Sequence, residues 1–188
     1  MPQQLLKFIP NLLTLARLIL IWPFLFYLLN HQYMQAFYLL VMAGCTDGLD
    51  GWLARYFGWQ SPLGKFMDPL ADKLLVSLSF VSLALLNQLP WWLVILVLMR
   101  DITIAMGVML WYFLITEPIN FSPTALSKVN TLLQLSLVTL CVFKLVLATL
   151  PNVMLTWLIV LTASTTLITY VHYVFSWGKK AYSFYKIA

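Results

Sequence analysis

Residues 152–176 read N-V-M-L-T-W-L-I-V-L-T-A-S-T-T-L-I-T-Y-V-H-Y-V-F-S, a stretch without a single Asp, Glu, Lys or Arg. A bilayer hydrocarbon core of about 30 Å takes roughly 20 apolar residues as α-helix, so this stretch can cross one. Five further runs of the same kind precede it, over 12–29, 33–55, 66–86, 91–115 and 124–148. Turn-forming or polar residues separate them: Asn30-His31-Gln32, the segment 58–64, Asn87-Gln88-Leu89-Pro90, the segment 117–123, and Pro151-Asn152. Inside a bilayer every backbone N–H and C=O must be paired within the protein, and helices achieve this segment by segment. A membrane barrel would show strands of alternating polarity, whereas these runs are continuously apolar. The expected fold is therefore all-α: a polytopic membrane protein, one six-transmembrane-helix bundle forming a single domain over residues 1–188. Lys7 with Leu5, Leu6, Phe8 and Ile9 forms an expected short N-terminal interfacial segment ahead of Pro10. Trp177, Lys179, Lys180 and Tyr182 make an expected interfacial anchor at the other end.

Composition agrees. Of 188 residues, 62% are hydrophobic and 9% charged, and the mean hydropathy is +0.90. A soluble domain carries about 25% charged residues; too few are present here to coat a water-facing surface or to keep a chain disordered. The net charge of +5 does not indicate nucleic acid, because eleven cations are spread along the chain with no basic run longer than Lys179-Lys180. In an apolar chain, cations mark the cytoplasmic rim of the bilayer. Lys7, Arg17, Arg55, Lys65, Lys73, Lys128, Lys179, Lys180 and Lys186 all fall on the side of the two termini. The opposite connections carry none; Lys144 is the exception and Arg100 lies mid-span. Both termini and the 56–65 connection are thus expected in the cytoplasm. Cys45 and Cys141, far apart in apolar surroundings, are expected to be small buried hydrophobes. The N-terminal residues resemble neither a secretory signal nor an Arg-rich, Ser-rich transit peptide, which suggests a bacterial-type inner membrane or a processed chain.

Four of the six acids, Asp47, Asp50, Asp68 and Asp72, crowd into one short region. A charged group at membrane depth costs about 2.5–3.5 kcal/mol even on lenient insertion scales. Asp47 and Asp50 are three apart and Asp68 and Asp72 four apart, so each pair shares a helix face. The connection between their helices is short, which makes those helices antiparallel neighbours and lets all four carboxylates converge. Like charges so confined need protons or cations, and hard divalent ions with oxygen ligands supply the latter. Carboxylates bridging two metal ions recur in phosphoryl-group chemistry. The alternative is an acidic rim, solvated and partly paired with Arg55, Lys65 and Lys73.

The residues between the acids read D-G-L-D-G-W-L-A-R-Y-F-G-W-Q-S-P-L-G-K-F-M-D-P-L-A-D over 47–72. This resembles, at all eight specified positions, the D-x2-D-G-x2-A-R-x8-G-x3-D-x3-D signature of the CDP-alcohol phosphotransferases. Independently of the resemblance, Gly51 and Ala54 remove bulk where a ligand could lie close to a helix, and Arg55 offers a fixed cation for a phosphate. The resemblance implies that Asp47, Asp50, Asp68 and Asp72 hold two Mg²⁺ or Mn²⁺ ions. It also implies that Asp72 is the base taking the acceptor's hydroxyl proton. Gly51, Ala54, Arg55, Ser61 and Gly64 match positions lining the site of the CDP-linked substrate, here CDP-diacylglycerol. The stretch N-L-L-T-L-A-R over 11–17 resembles the polar opening of the family's first span, where Thr14 approaches the nucleotide; helix capping is the alternative for Asn11 and Thr14. A homodimer is also implied.

The signature leaves the acceptor open. Arg100-Asp101 in mid-span points to a structural ion pair or a substrate contact. Lys128 could meet a substrate phosphate or snorkel to the interface. Together with S-K-V-N-T-L-L-Q over 127–134 and Y-V-H-Y-V-F-S-W-G-K-K over 170–180, these residues resemble the CMP-forming cardiolipin synthase branch. The expectation is transfer of a phosphatidyl group from CDP-diacylglycerol to phosphatidylglycerol, with Arg100 and Lys128 on the acceptor phosphate. Glycerol-3-phosphate is the alternative acceptor. A divalent-cation transporter would want acids on several spans lining a through-path, and a structural assembly subunit would leave the acid pattern without a use.

Overall fold

The computed structural model describes residues 9–56, 62–114, 125–147 and 151–185. The regular elements among them are six α-helices: α1 (Ile9–Leu29), α2 (Tyr33–Tyr56), α3 (Pro62–Leu85), α4 (Trp91–Leu114), α5 (Ala125–Leu147) and α6 (Asn152–Tyr185). The all-α expectation holds, and the helices follow the apolar runs closely. The largest difference is α6, whose 34 residues measure about 51 Å at 1.5 Å per residue. An apolar run reports the thickness of hydrocarbon, whereas a helix can continue into the polar interface beyond it. Of the expected N-terminal interfacial segment, residues 5–8 lie outside the described residues and Ile9 opens α1; the side chains of the C-terminal anchor also lie outside them.

Two breaks expected from sequence are built in the same way. His31 and Asn87 take positive φ, 60° and 56°. After α1, the Gln32 N–H donates to the Tyr27 carbonyl at 2.9 Å and the His31 N–H to the Leu28 carbonyl at 3.3 Å. After α3, Gln88 N–H donates to Leu83 at 2.8 Å and Asn87 N–H to Ala84 at 3.0 Å. Each is a Schellman termination: one left-handed residue turns the chain and satisfies carbonyls the helix would otherwise leave open. Pro90 and Pro151 then start α4 and α6 through their carbonyls, which accept from Leu93 N–H at 3.1 Å and Met154 N–H at 3.2 Å.

Hydroxyls inside apolar helices are satisfied by their own backbone. Ser79 donates to the Leu75 carbonyl at 2.6 Å, Thr156 to Asn152 at 3.0 Å and Ser164 to Val160 at 2.8 Å. Such back-bonding removes the desolvation penalty of a lone hydroxyl. Large apolar side chains meanwhile face outward, among them Trp22, Phe26, Met106, Trp157 and Phe175. An apolar exterior of this kind suits lipid, not water. Among the described residues, Ala125–Leu147 and Asn152–Ser176 are long and apolar enough to cross a membrane, and Thr14–Leu29 and Tyr33–Thr46 are shorter apolar helices.

The chain forms two compact units, residues 1–88 with 138–150, and residues 89–137 with 151–188. In the first, α1 packs on both α2 and α3. Ile21, Phe24 and Leu28 form the buried stripe of α1, and the small Ala36 and Ala43 flank Leu40 on the buried stripe of α2. Small residues let helix backbones approach where dispersion rather than water exclusion drives association. Cys141 is buried as expected, but Cys45 is exposed: it falls outside the Ala36, Leu40, Ala43 stripe. In the second unit α4 packs on α6. Its core is mixed: Leu93, Val94 and Val97 are buried, and so are Arg100, Asn130, Gln134, Thr162, Thr166 and Thr169.

Candidate active site

The first unit brings α1 to the carboxylates of α3. Thr14 and Arg17 lie one turn apart on α1, and Asp68 and Asp72 one turn apart on α3. The Thr14 hydroxyl donates to Asp68 Oδ1 at 2.5 Å, and an Arg17 guanidinium N–H donates to Asp72 Oδ1 at 2.6 Å. Lower residue meets lower and higher meets higher, so α1 and α3 run parallel, with α2 returning between them in sequence. Thr14 and Arg17 are each 1% exposed, whereas the Asp72 side chain is 44% exposed. Asp68 and Asp72 are thus held from α1, with the Asp72 side chain still partly exposed.

Arg17 corrects an expectation. It was expected among the cations of the cytoplasmic rim, but it is buried and paired with Asp72. The physical reason is charge: a carboxylate within an apolar helix draws in whatever cation the adjoining helix offers at that depth. Two features could have revealed it. Arg17 stands inside an apolar run, where a cation is costly, and it follows Thr14 by nearly the interval that separates Asp72 from Asp68.

Asp47, Asp50, Gly51, Ala54 and Arg55 fall on the last turns of α2, and Gly64 on the first turn of α3. Their side chains, and Ser61 altogether, lie outside the described residues. Asp68, Asp72 and the Thr14 hydroxyl present oxygen alone. That donor chemistry fits a hard divalent cation such as Mg²⁺ or Mn²⁺.

The second unit holds the other expected residues. Arg100 is 1% exposed and gives one N–H to Asp101 Oδ1 at 2.6 Å and another to the Ser127 hydroxyl at 2.7 Å. Of the two expectations for Arg100-Asp101, the structural ion pair is present. Lys128, next along α5, is exposed. One turn deeper, Asn130 Oδ1 accepts from the hydroxyls of Thr165 at 2.8 Å and Thr166 at 2.9 Å. Asn130 and the threonines were not singled out in sequence, since an Asn or Thr in an apolar run carries no sign of its partner.

Residues 7–177 match the family model for CDP-alcohol phosphatidyltransferase. The chain belongs to the CDP-alcohol phosphatidyltransferase family. Family and apolar helices together make it an integral membrane protein. The family typically uses a divalent metal. The chain is 36% identical over 182 residues to a probable CMP-forming cardiolipin synthase of Drosophila melanogaster, covering 88% of this chain and 56% of that one. It is 37% identical over 129 residues to a CDP-diacylglycerol–glycerol-3-phosphate 3-phosphatidyltransferase of Aquifex aeolicus, covering 66% and 69%. Over 98 residues it is 39% identical to a probable phosphatidylglycerophosphate synthase of Mycobacterium tuberculosis, covering 49% and 47%. The chain thus spans about half the length of several curated relatives it matches. The names of these relatives divide between cardiolipin synthase and phosphatidylglycerophosphate synthase at similar identity.

Proposed function

We propose that the chain transfers the phosphatidyl group of CDP-diacylglycerol to the free primary hydroxyl of phosphatidylglycerol, giving cardiolipin and CMP. The observation that carries this choice of acceptor is the 36% identity to a CMP-forming cardiolipin synthase across 88% of the chain. In the proposed mechanism all six helices cross the membrane, as a single domain with both termini in the cytoplasm. Asp47, Asp50, Asp68 and Asp72 form the metal site, and Thr14, Gly51, Ala54, Arg55, Ser61 and Gly64 line the place of the donor. Divalent ions bound to the acids would neutralise charge on the pyrophosphate and on departing CMP. Asp72 accepts the acceptor's hydroxyl proton; the freed oxygen bonds to the β-phosphorus, and the bond from that phosphorus to the bridging oxygen breaks. Positioning supplies most of the acceleration, since phosphoryl transfer asks little covalent chemistry of the protein.

Lys128, exposed beside the Ser127 that holds Arg100, supplies charge for the acceptor phosphate. Arg100, already compensated by Asp101, acts by keeping Ser127 in place. Glycerol-3-phosphate is the second reading, favoured by the likeness to the Aquifex and Mycobacterium enzymes. The deciding assay incubates purified protein with CDP-diacylglycerol, Mg²⁺ or Mn²⁺ and each acceptor separately, scoring CMP release and lipid product. Cardiolipin is expected. Lys128→Ala should raise KM for phosphatidylglycerol roughly tenfold, the worth of a charged hydrogen bond, with less effect on CDP-diacylglycerol. Phosphatidylglycerophosphate formed while phosphatidylglycerol goes unused would replace this reading with the second.

A further inference from the structure

The two carboxylates of α3 are held by partners of different charge. Asp68 receives a neutral hydroxyl from Thr14; Asp72 receives a guanidinium from Arg17. Both holders are buried, and the Asp72 side chain stays 44% exposed. A neutral donor leaves the charge of Asp68 available to a cation. A guanidinium 2.6 Å from Asp72 opposes a second cation at the same carboxylate, because like charges at such range repel strongly away from bulk water.

We propose that Arg17 is a positioning residue that divides labour between the two α3 acids: by holding Oδ1 of Asp72 it weakens that carboxylate's hold on the metal and keeps it turned to the acceptor hydroxyl, leaving Asp68 as the stronger metal ligand of the pair. This rests on the metal-dependent reading above and changes it in one respect: Asp72 is not an equal ligand. Arg17 touches no reacting atom in this account. It acts through Asp72, and the fork geometry of its guanidinium fixes the plane in which the carboxylate lies.

The consequence is a pair of opposite signs. Removing the Arg17 charge should let Asp72 swing onto the cation, so that metal binds more tightly while turnover falls. A residue that merely supports the fold would lower both. The experiment uses the full-length protein in detergent or nanodiscs and measures Mn²⁺ affinity from the free-ion electron paramagnetic resonance signal, alongside kcat and KM. Arg17→Gln should bind Mn²⁺ about tenfold more tightly and lose roughly 10²-fold in kcat, with KM for CDP-diacylglycerol nearly unchanged. Arg17→Lys, which keeps charge without the fork, should restore Mn²⁺ affinity to the wild-type value and recover kcat only in part. Asp68→Asn should weaken Mn²⁺ binding far more than Asp72→Asn, and this comparison decides the matter should Arg17→Gln fail to fold. Mn²⁺ affinity unchanged or weaker in Arg17→Gln, or equal losses in Asp68→Asn and Asp72→Asn, would overturn the division of labour while leaving the transferase reading intact. Wild-type protein that binds no Mn²⁺ would overturn both.

Discussion

Exchanging a carboxylate for its amide keeps the shape and removes the charge, so Asp50→Asn isolates what the charge does at the end of α2. A neutral amide oxygen is a poor partner for a divalent ion in a site built for carboxylates. Turnover is expected to fall by roughly 10²-fold or more, with the thermal unfolding midpoint unchanged. Near-wild-type activity at saturating Mn²⁺ would remove Asp50 from the metal set. Arg100 shows the other use of charge at membrane depth. Asp101 accepts from one of its nitrogens and Ser127 from another, so it is held by partners within the second unit.

At the scale of elements, the connections that return the chain at the ends of α1 and α3 depend on single left-handed residues. Asn87 sits at φ 56°, a region that Asn tolerates because its short side chain can bond locally, and that β-branched residues avoid. Asn87→Gly should therefore be neutral to stabilising by up to about 1 kcal/mol, the steric gain being offset partly by the greater freedom of glycine in the unfolded chain. Asn87→Val should destabilise by about 1–2 kcal/mol. Thermal or denaturant unfolding in a fixed detergent compares the two; a Val variant as stable as wild type would show that the turn can relax without the left-handed residue. In the second unit, α5 and α6 are joined by the carbonyl oxygen of Asn130 accepting two threonine hydroxyls. Hydrogen bonds between membrane helices are worth only about 0.6–2 kcal/mol each, but they are directional, which apolar contacts are not.

For the whole molecule, the distribution of cations predicts an orientation in the bilayer. The turns at residues 30–32 and 86–90 carry no Lys or Arg, while Lys65 and Lys128 fall on the first turns of α3 and α5. With both native cysteines replaced by alanine, Gln88→Cys should react with a membrane-impermeant maleimide added to the outside of intact cells. Gln60→Cys should react only after permeabilisation. The reverse pattern would invert the topology and place the acids on the far side of the membrane from a cytoplasmic supply of CDP-diacylglycerol.

The six helices and most of their ends were legible in the sequence because their causes are local. Apolar runs sum residue by residue, and a turn at Asn30-His31-Gln32 or Asn87-Gln88 depends only on the few residues beside it. The acid signature was legible for a similar reason, since spacings of three and four fix a shared helix face whatever surrounds it. Only the tertiary structure decided what Asp68 and Asp72 meet on α1. Asp72 forms an ion pair with Arg17, 55 residues away in sequence and on another helix. That choice depends on which helices adjoin and at what height, and so on the packing of α1 against α3. The same holds for Asn130, whose partners Thr165 and Thr166 stand on another helix. A single polar side chain in an apolar run announces a cost, and the partner that offsets it exists only once the helices are assembled.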